Sequence, residues 1–491
     1  MKLKDLLAGL ELLGGNADPE QEITGVSYDS RTTKPGDLFV AVSGMESDGH
    51  RYIPMAQEKG AVCAVCEHEI EGGLPHAVVA SSRRALAVIG ANWYGHPARE
   101  LTMIGVTGTS GKTTSTYLIK SILEQKAGAK VGLIGTIQNM IGSEVLHTER
   151  TTPESFELQG LLRRMADAGC THAVMEVSSH ALQLDRVYGI QYAVGIFTNL
   201  SQDHLDFHKT MENYCDAKAL LFRQCDIGIY NADDPWHERL LKDTACPRLF
   251  SYSVRGEADL MAKNVALHPG SVDFDAEAET EWAHMHVGIP ALFTVYNTLD
   301  AVAACWNLGV PLGECADALA KNHGVKGRME IIPTPGKSYT ILNDYSHKPD
   351  ALENVLRSVK SFAKGRTVVL FGCGGDRDKT KRPVMGKIAA ELADFVIVTS
   401  DNPRTEQPQA IIDDILAGMQ DSDTPRHVEP DRVEAIHYAM DNARPGDVII
   451  LAGKGHEDYQ EIQGEKRPFD ERVVIRELLE EMGTPQPQAA P

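Results

Sequence analysis

Residues 101–124 read LTMIGVTGTSGKTTSTYLIKSILE, and this stretch decides the fold. The apolar residues at 103–106 predict a short buried strand, and apolar residues then recur at helical spacing at 118–123. Between them lies the glycine-rich run GTSGKTT at 108–114. A strand, a glycine-rich loop and a helix that opens with Gly-Lys-Thr form the layout of a phosphate-binding loop.

The loop residues predict a nucleoside triphosphate site. Their backbone N–H groups would surround phosphate oxygens at the positive end of the helix, with the Lys112 charge on the outer phosphates and the Thr113 hydroxyl on Mg²⁺. Valine stands at position 106, where the usual motif has its first glycine, so a turn that only caps the helix remains the alternative. The predicted phosphate-binding residues are Gly108, Thr109, Ser110, Gly111, Lys112, Thr113 and Thr114.

Length and charge limit the class of protein. A chain of 491 residues is too long for one core and predicts about three domains. The net charge is −21, from 48 basic and 69 acidic residues, which argues against nucleic acid or an anionic membrane as a general partner. Small anionic ligands remain compatible, because they respond to local lysines and arginines.

The chain is expected to stay in the cytoplasm. Its start, MKLKDLLAGLELLGG, predicts an amphipathic helix rather than a signal peptide, and no apolar run is long enough to span a bilayer.

Nine scattered cysteines indicate reduced, buried thiols. Cys63 and Cys66 form one C-x-x-C, but a zinc site needs a second pair. The tail at 484–491, TPQPQAAP, is predicted to be disordered.

The strand and turn patterns predict an α/β protein of three regions. Residues 1–100 alternate short apolar segments with polar loops, as in a small α/β domain. Residues 101–336 continue from the phosphate loop as strand-plus-helix units, and residues 337–491 repeat that pattern as a second doubly wound sheet. The polar loop YDSRTTKPGD at 28–37 could hold a ligand or be a plain surface turn.

Acidic and histidine side chains follow two strands of the middle region. In HAVMEVSSH at 172–180, Glu176, Ser178 and His180 would share one face if the strand extends that far. The second cluster lies in TNLSQDHLDFH and contains Asp203, His204, Asp206 and His208. Such clustering beside a phosphate loop indicates divalent-metal binding, although turn and cap chemistry is an equal alternative for this loop.

Ten motifs, in order along the chain, resemble those of the Mur ligases. The resemblance runs from Tyr28 to about Asp458, and although each motif alone is weak, the ordered set is specific. It implies a UDP-sugar domain at 1–100, a central P-loop ATPase domain with a mainly parallel sheet at 101–336, and a Rossmann-like amino-acid domain at 337–491. The motifs are GTSGKTT, MEVSSH, TNLSQDHLD, YCDAKALLF, NADD, VKGRMEII, DYSHKPDAL, FGCGGDRDKTKRP, SDNPRTE and AGKGHEDYQ.

The resemblance also implies a reaction and its partners. In this family ATP phosphorylates a substrate carboxylate, an amine attacks the acyl phosphate, and phosphate leaves from a tetrahedral intermediate. The implied cofactors are ATP and Mg²⁺, and catalysis would rest on positioning and charge neutralisation. The implied partners are small molecules, a UDP-N-acetylmuramoyl dipeptide and meso-diaminopimelate, and the chain is expected to be a monomer.

Family roles transfer to matching positions. The implied metal ligands are Thr113, Glu176, His204 and Lys218, which matches the family's carboxylated lysine. Its carbamate would form from a neutral amine and CO₂, so a desolvated site is expected instead of an ordinary helix surface. The residues implied in catalysis are Lys112, Glu176, His204 and Lys218. Further nucleotide contacts are implied for Asn297, Arg328, Asp344 and His347, and UDP-muramoyl-peptide contacts for Tyr28, Ser30, Thr151, Thr152, Ser178 and Arg186.

The motif Asp401-Asn402-Pro403-Arg404 resembles the signature of family members that add meso-diaminopimelate. This amino acid has one carboxylate more than lysine, and the guanidinium of Arg404 suits that group. With lysine bound, Arg404 would be left unpaired at a cost of about 2–5 kcal/mol, or about 30-fold to several thousand-fold. An Asx turn before an exposed arginine is the alternative. The implied diaminopimelate contacts are Arg377, Asp401, Asn402, Pro403, Arg404, Gly453 and Glu457.

Some positions depart from the family pattern, and other functions remain. Leu184 removes one possible substrate hydrogen bond, and Thr294 replaces an expected asparagine among the adenine contacts. Ser346 and Lys348 replace the usual alanine and threonine. The alternatives are a sister ligase that adds lysine or a dipeptide, a folylpolyglutamate synthetase, and a binding protein that hydrolyses ATP to change shape.

Overall fold

The phosphate-loop stretch folds as predicted, with a strand at Thr102–Thr107 and a helix at Lys112–Gln125. The computed structural model describes residues 1–44, 47–71, 73–125, 129–322 and 324–483. The tail at 484–491 therefore lies outside the described residues. The chain divides into two compact units, Met1–Ser251 and Tyr252–Pro491.

Within its described residues, the first unit contains twelve complete strands and nine α-helices. Its strands are β1 Leu12–Gly15, β2 Gly25–Ser27, β3 Asp37–Val40, β4 Cys63–Cys66, β5 His76–Val79, β6 Thr102–Thr107, β7 Val131–Ile134, β8 Asn139–Ile141, β9 Glu144–Leu146, β10 His172–Glu176, β11 Tyr192–Phe197 and β12 Cys225–Asn231. Its helices are α1 Leu3–Leu6, α2 Ile53–Glu58, α3 Ser82–Trp93, α4 Lys112–Gln125, α5 Ser155–Asp167, α6 Ser179–Gln183, α7 Leu205–His208, α8 Met211–Ala219 and α9 His237–Leu241.

Two sheets organise the first unit. The N-terminal sheet has the order β1-β5-β4-β3-β2, with β1 antiparallel to its neighbour, and it forms the predicted small α/β region. The following strands have the order β12-β11-β6-β10-β7-β8-β9, and β12 to β7 are parallel. Strand β6 lies between β10 and β11, so the carboxyl ends of these three strands meet at one edge of the sheet.

The N-terminal helix is shorter than predicted. Helix α1 ends at Leu6, and β1 replaces the expected helical turns after it. Gly9 has a φ of +85°, a left-handed conformation that favours glycine and ends helices. Leu3, Leu6 and Leu7 are nevertheless buried in the core, as the amphipathic pattern predicts.

Strand β13 crosses the unit boundary, and eleven strands and seven α-helices follow it in the part of the second unit that the structure describes. The strands are β13 Arg248–Ser253, β14 Leu260–Leu267, β15 Val272–Ala278, β16 Trp282–Val287, β17 Glu330–Ile332, β18 Thr340–Asp344, β19 Thr367–Phe371, β20 Phe395–Val398, β21 Arg426–Val428, β22 Val448–Ala452, β23 Tyr459–Ile462 and β24 Glu465–Pro468. The helices are α10 Leu292–Asn307, α11 Leu312–Leu319, α12 Pro349–Phe362, α13 Lys381–Leu392, α14 Pro408–Ala417, α15 Arg432–Asp441 and α16 Glu471–Glu481.

The second unit contains the predicted second doubly wound sheet. Its order is β17-β18-β22-β19-β20-β21, and all neighbours except β17 and β18 are parallel. The antiparallel meander β14-β15-β16 was not predicted from the sequence. The α/β fold class is confirmed. The compact units divide at Ser251, and the predicted domain bounds at 100/101 and 336/337 stay predictions.

Among the described helices, none combines the length and the apolar character that crossing a bilayer requires.

Candidate functional site

The phosphate loop connects the end of β6 to the start of α4. The Lys112 Nζ donates hydrogen bonds to the carbonyl oxygens of Gly108 at 2.7 Å and Thr109 at 3.0 Å, so the lysine lies over its own loop. A Cβ on Gly108 would lie 1.8 Å from the Thr198 hydroxyl, and the φ of Gly108 is +154°. Glycine is therefore required at this position.

Asn199, at the end of β11, fixes the loop from outside. Its carbonyl oxygen accepts from the Thr109 N–H at 2.9 Å, and its Oδ1 accepts from the Ser110 N–H at 3.0 Å. Its Nδ2 donates to the Ser110 carbonyl oxygen at 3.1 Å. The N–H groups of Thr109 and Ser110, two of those expected to surround phosphate, thus donate to oxygen atoms of Asn199. The sequence analysis missed Asn199, although its place directly after a predicted strand is a usable signal.

Glu176, the last residue of β10, lies next to Thr113, as the predicted metal site requires. Its buried carboxylate accepts from the Thr113 hydroxyl at 3.0 Å. It also accepts from the N–H and the hydroxyl of Thr136, each at 2.9 Å. Thr136 was not identified from the sequence. The arrangement supplies carboxylate and hydroxyl oxygens, which are the donors that Mg²⁺ prefers.

Glu176, Ser178 and His180 would share a strand face only if the strand reached residue 180, and this condition is not met. Strand β10 ends at Glu176, and Ser178 is the N-cap of α6, where its Oγ accepts from the Ala181 N–H at 3.1 Å. The serine side chain satisfies a helix N–H, so the chain turns into a helix there. Ser178 still lies beside Thr152, whose Oγ1 accepts from the Ser178 N–H at 3.1 Å.

Three arginines converge on the Glu154 carboxylate near the predicted UDP-muramoyl-peptide residues. The distances to its oxygens are 2.7 Å from Arg186, 3.1 Å from Arg150 and 3.8 Å from Arg83. Arg186 also donates to the Thr152 carbonyl oxygen at 3.2 Å. One carboxylate leaves a net positive charge among these groups, which suits an anionic ligand. Arg83 and Arg150 were not singled out in the sequence.

The remaining predicted residues of this set lie in different surroundings. The Tyr28 hydroxyl donates to Glu157 at 2.5 Å, and burial together with the carboxylates of Glu157 and Glu154 raises the pKa of Tyr28. Thr151 exchanges a hydrogen bond with the Thr136 hydroxyl at 3.0 Å. The Ser30 hydroxyl contacts the Met55 sulfur at 3.3 Å.

Lys218 is buried in α8, so the alternative of a surface lysine is wrong. Its Nζ donates to the Gly108 carbonyl oxygen at 2.8 Å and lies 4.4 Å from the centre of the Tyr214 ring. His204 has a φ of +52°, and its Nε2 lies 3.1 Å from an Asp203 carboxylate oxygen. The described residues contain no group of three or more His, Cys, Asp or Glu side chains arranged around a metal position.

In the second unit, three predicted nucleotide contacts surround Tyr345. The buried Asp344 accepts from the Met329 N–H at 2.8 Å and from the Ser346 hydroxyl, and burial raises its pKa. The Arg328 guanidinium lies 4.9 Å from the centre of the Tyr345 ring. The His347 Nδ1–H donates to the Tyr345 carbonyl oxygen at 2.8 Å, and burial lowers the pKa of His347 to about 3.

The predicted adenine contacts lie on α10. Asn297 is buried, and its side-chain amide makes no hydrogen bond to a described residue. The hydroxyl of Thr294, which departs from the family pattern, donates to the Pro290 carbonyl oxygen at 3.2 Å. Thr294 therefore already has an intramolecular partner.

Arg404 is neither unpaired nor fully exposed, which corrects two expectations. Its side chain is 19% exposed, and its Nε lies 3.2 Å from a Glu461 carboxylate oxygen. Its Nη1 donates to the Gly375 carbonyl oxygen at 2.8 Å. A bound lysine would leave Arg404 with these partners, so the cost of about 2–5 kcal/mol is too high. The local alternative of an exposed arginine is also wrong.

Asn402 connects the other polar groups at this sheet edge. Its Nδ2 donates to Glu457 at 2.8 Å, and its Oδ1 accepts from the buried Lys454 Nζ at 3.0 Å and from the Glu461 N–H at 3.0 Å. Burial raises the pKa of Glu457, although the Lys454 ammonium acts in the opposite direction. The sequence analysis missed Lys454 and Glu461.

Asp401 and Gly453 approach each other at the ends of the loop and of β22. The Asp401 carboxylate is buried, and no described residue donates a hydrogen bond to it. A Cβ on Gly453 would lie 2.5 Å from that carboxylate. Pro403 accepts from the Glu406 N–H at 3.0 Å. Arg377 is exposed and donates to the Asp376 carbonyl oxygen at 3.4 Å, and among the described residues no hydrogen bond joins it to Asp401, Asn402 or Glu457.

These sites define the class of protein: an α/β protein with a phosphate-binding loop at one sheet edge and an acid–base cluster at another. Three family models match the chain in order. They are described as Mur ligase family, catalytic domain, at residues 22–95, Mur ligase middle domain at 106–305, and Mur ligase, glutamate ligase domain, at 327–455.

Individual relatives agree with the family models. A protein of Clostridium tetani named UDP-N-acetylmuramoyl-L-alanyl-D-glutamate--2,6-diaminopimelate ligase is 47% identical over 489 residues, which cover 98% of this chain and 100% of the relative. A solved structure of a protein with that name is 31% identical, with a TM-score of 0.72, and covers 99% of this chain and 100% of its own. The chain therefore belongs to the Mur ligase family and is an enzyme of the ligase class.

A more distant solved structure shares the fold. It is a MurF ligase of Thermotoga maritima in complex with ADP, 21% identical with a TM-score of 0.59, and the match covers 94% of this chain and 97% of the other.

Proposed function

We propose that the chain is an ATP-dependent ligase that adds meso-diaminopimelate to UDP-N-acetylmuramoyl-L-alanyl-D-glutamate through an acyl phosphate. The observation that carries this proposal is the acid–base cluster around the loop 401–404. There a guanidinium, the buried Asp401 carboxylate and the half-buried Glu457 carboxylate lie at one sheet edge, which suits an amino acid whose far end carries both an ammonium and a carboxylate. The relative that is 47% identical bears the name of this activity.

The phosphate loop would bind ATP through its backbone and Lys112. The Thr113–Glu176 pair supplies oxygen donors that fit Mg²⁺, which proteins bind through one or two carboxylates together with substrate phosphates. When bound, Mg²⁺ would neutralise phosphate charge. His204, and Lys218 as a carbamate, stay predicted ligands, and Asn297, Arg328, Asp344 and His347 stay predicted nucleotide contacts.

The arginines around Glu154 would hold the anionic UDP-muramoyl dipeptide. Arg186 lies beside Thr152 and Ser178, two of the predicted contacts. Because three guanidiniums share one carboxylate, a substrate carboxylate or phosphate can join them without a new counter-ion. Tyr28, Ser30 and Thr151 stay predicted contacts, as do the monomeric state and the cytoplasmic location.

At the second sheet edge, Arg404 would bind the distal carboxylate of diaminopimelate. Its Nη2 makes no hydrogen bond to a described residue and is available for that group. Asp401 and Glu457 would bind the distal ammonium, since both are carboxylates at the same loop. The ion pair between Arg404 and Glu461 favours a second candidate, a sister ligase that also accepts lysine, because lysine would not leave Arg404 unpaired.

Phosphate release tests the proposed reaction. Purified enzyme is incubated with ATP, Mg²⁺ and each combination of the muramoyl dipeptide and diaminopimelate, and inorganic phosphate is measured over time. Stoichiometric phosphate release that requires both substrates is expected, because the amine must discharge the acyl phosphate. Release that is indifferent to the amino acid would refute the ligase reaction and favour the ATP-hydrolysing binding protein.

A further inference from the structure

Glu461 is fixed against the loop 401–404 by backbone hydrogen bonds. Its N–H donates to the Asn402 Oδ1 at 3.0 Å, and its carbonyl oxygen accepts from the Arg404 N–H at 3.0 Å. On the other side the Gln463 N–H donates to the Arg404 carbonyl oxygen at 2.7 Å. The hairpin β23–β24 is thus joined to the loop as an additional strand pairing, and the Glu461 side chain has a defined place.

The Glu461 carboxylate occupies one edge of the Arg404 guanidinium. The Nε of Arg404 lies 3.2 Å from the Glu461 Oε2, while Nη1 donates to the Gly375 carbonyl oxygen. The side chains are 19% and 24% exposed, so water screens the pair only in part. A guanidinium carries its five N–H groups in one plane, and these two contacts orient that plane and leave the terminal Nη2 side for a ligand.

We propose that Glu461 is a specificity-determining residue that acts through Arg404 and weakens the preference for a substrate with a distal carboxylate. The inference rests on the proposed function of this loop. With lysine bound, Arg404 keeps its ion pair with the Glu461 carboxylate, so little binding free energy is lost. With diaminopimelate bound, the distal carboxylate approaches a guanidinium that is already partly neutralised, and it is repelled by Glu461. Both effects lower the ratio of kcat/KM for diaminopimelate to that for lysine.

The substitution Glu461→Gln tests this role, because glutamine keeps an oxygen acceptor for the Arg404 Nε and removes the charge. We expect the diaminopimelate-to-lysine ratio of kcat/KM to rise about three- to tenfold, as for a partly screened ion pair. The change should come from KM, with a lower value for diaminopimelate, while kcat changes little. The matched control is Glu465→Gln in the same hairpin, where an exposed Glu465 pairs only with Arg467. Its ratio should equal that of the wild type.

Two further variants make the result decisive. Arg404→Ala should remove most of the preference, which shows that the ratio reports on this guanidinium. Glu461→Asp shortens the side chain by one methylene, so its charge lies farther from Arg404 and the diaminopimelate-to-lysine ratio of kcat/KM should rise by an intermediate amount. This variant replaces the glutamine variant if the latter does not fold. A ratio that is unchanged or lowered in both Glu461 variants overturns the inference, as does an equal loss of kcat/KM for both amino acids.

Failure of the inference differs from failure of the proposed function. If the wild type forms product with diaminopimelate and Arg404→Ala changes the ratio, but neither Glu461 variant does, only the role of Glu461 is refuted. If the wild type forms no product with diaminopimelate, the proposed function and the inference both fall.

Discussion

At the scale of single residues, the phosphate loop owes its shape to side chains outside its own motif. Thr198 lies so close to Gly108 that only glycine fits there, and Asn199 binds both the N–H and the carbonyl oxygen of Ser110. Lys218 donates to the Gly108 carbonyl oxygen from α8. The loop is therefore preorganised by residues that come from other segments of the chain.

The substitution Asn199→Ala should weaken ATP binding. It removes two side-chain hydrogen bonds of about 0.5–1.5 kcal/mol each, so the loop must be ordered by the nucleotide itself. We expect the KM for ATP to rise about tenfold, with a smaller change in kcat. Steady-state kinetics with varied ATP measure this.

The control for this prediction is Gln191→Ala, which lies just before the opposite end of β11 and pairs with the exposed Asp226. Its KM for ATP should match the wild type. An unchanged KM in Asn199→Ala would show that the loop keeps its shape without the asparagine.

Some site residues could be predicted from the sequence and others could not. Glu176 ends an apolar run directly beside the phosphate-loop strand, so the rule for parallel sheets places it at the correct edge. Asn199 also follows a parallel strand of this sheet. It was overlooked because the metal-site prediction used the acidic and histidine residues of the loop that follows it. The pairing of Glu461 with Arg404 depends on a hairpin 57 residues away, and no local pattern encodes such a contact.

At the scale of elements, an ion cluster around one buried arginine connects the loop after residue 404 to two helices. Arg382 of α13 is fully buried, and its Nη atoms lie 2.8 and 3.1 Å from the two carboxylate oxygens of Glu406. The Nη1 also lies 2.9 Å from Asp414 of α14. This bidentate pair fixes the segment that carries Arg404 onto the helices of the sheet.

Protonation of Glu406 should weaken this connection. Hydrogen bonds from Arg382 lower the pKa of Glu406 to about 2, against about 4.5 for the unfolded chain. Because the folded-state pKa is the lower one, the contribution to stability is complete above about pH 4.5 and is lost as the pH falls towards 2. Glu406→Gln should lower the free energy of unfolding by about 1–2 kcal/mol near neutral pH, because water screens this pair in part.

The difference in the free energy of unfolding between wild type and Glu406→Gln should stay constant above about pH 5 and narrow as the pH falls from about 5 towards 2, which urea unfolding at each pH measures. The control is Glu391→Gln on the exposed side of α13, where the carboxylate lies 3.8 Å from an exposed Lys387. That variant should follow the wild type at every pH. A constant difference for Glu406→Gln would show that its charge does not stabilise the fold.

The elements that sequence reasoning missed had weak local signals. Strand β15 alternates buried and half-buried side chains, as Phe274 and Asp275 show, and β16 alternates exposed and buried ones, as Met285 and His286 show. The meander was therefore detectable from its period of two. The end of β10 was harder to place, because Val177 continues the apolar run and only the capping hydrogen bond of Ser178 marks the helix.

At the scale of the whole molecule, the order of motifs predicted the family, and the three family models confirm it. The predicted domain bounds at 100/101 and 336/337 stay predictions. The two compact units of the chain divide after Ser251. The boundary between compact units depends on tertiary contacts among hundreds of residues, and the spacing of motifs along the sequence does not reveal those contacts. The proposed reaction needs both units, because the phosphate loop lies in the first and the acid–base cluster around Arg404 in the second.

The most direct test of the account is amino-acid-dependent product formation by mass spectrometry. The enzyme is incubated with the UDP-muramoyl dipeptide, ATP and Mg²⁺, together with diaminopimelate, lysine or ornithine in turn. We expect a product heavier than the dipeptide by the mass of diaminopimelate less one water, formed with a higher kcat/KM than the other two products. A preference for lysine or ornithine, or ATP hydrolysis without any covalent product, would contradict it.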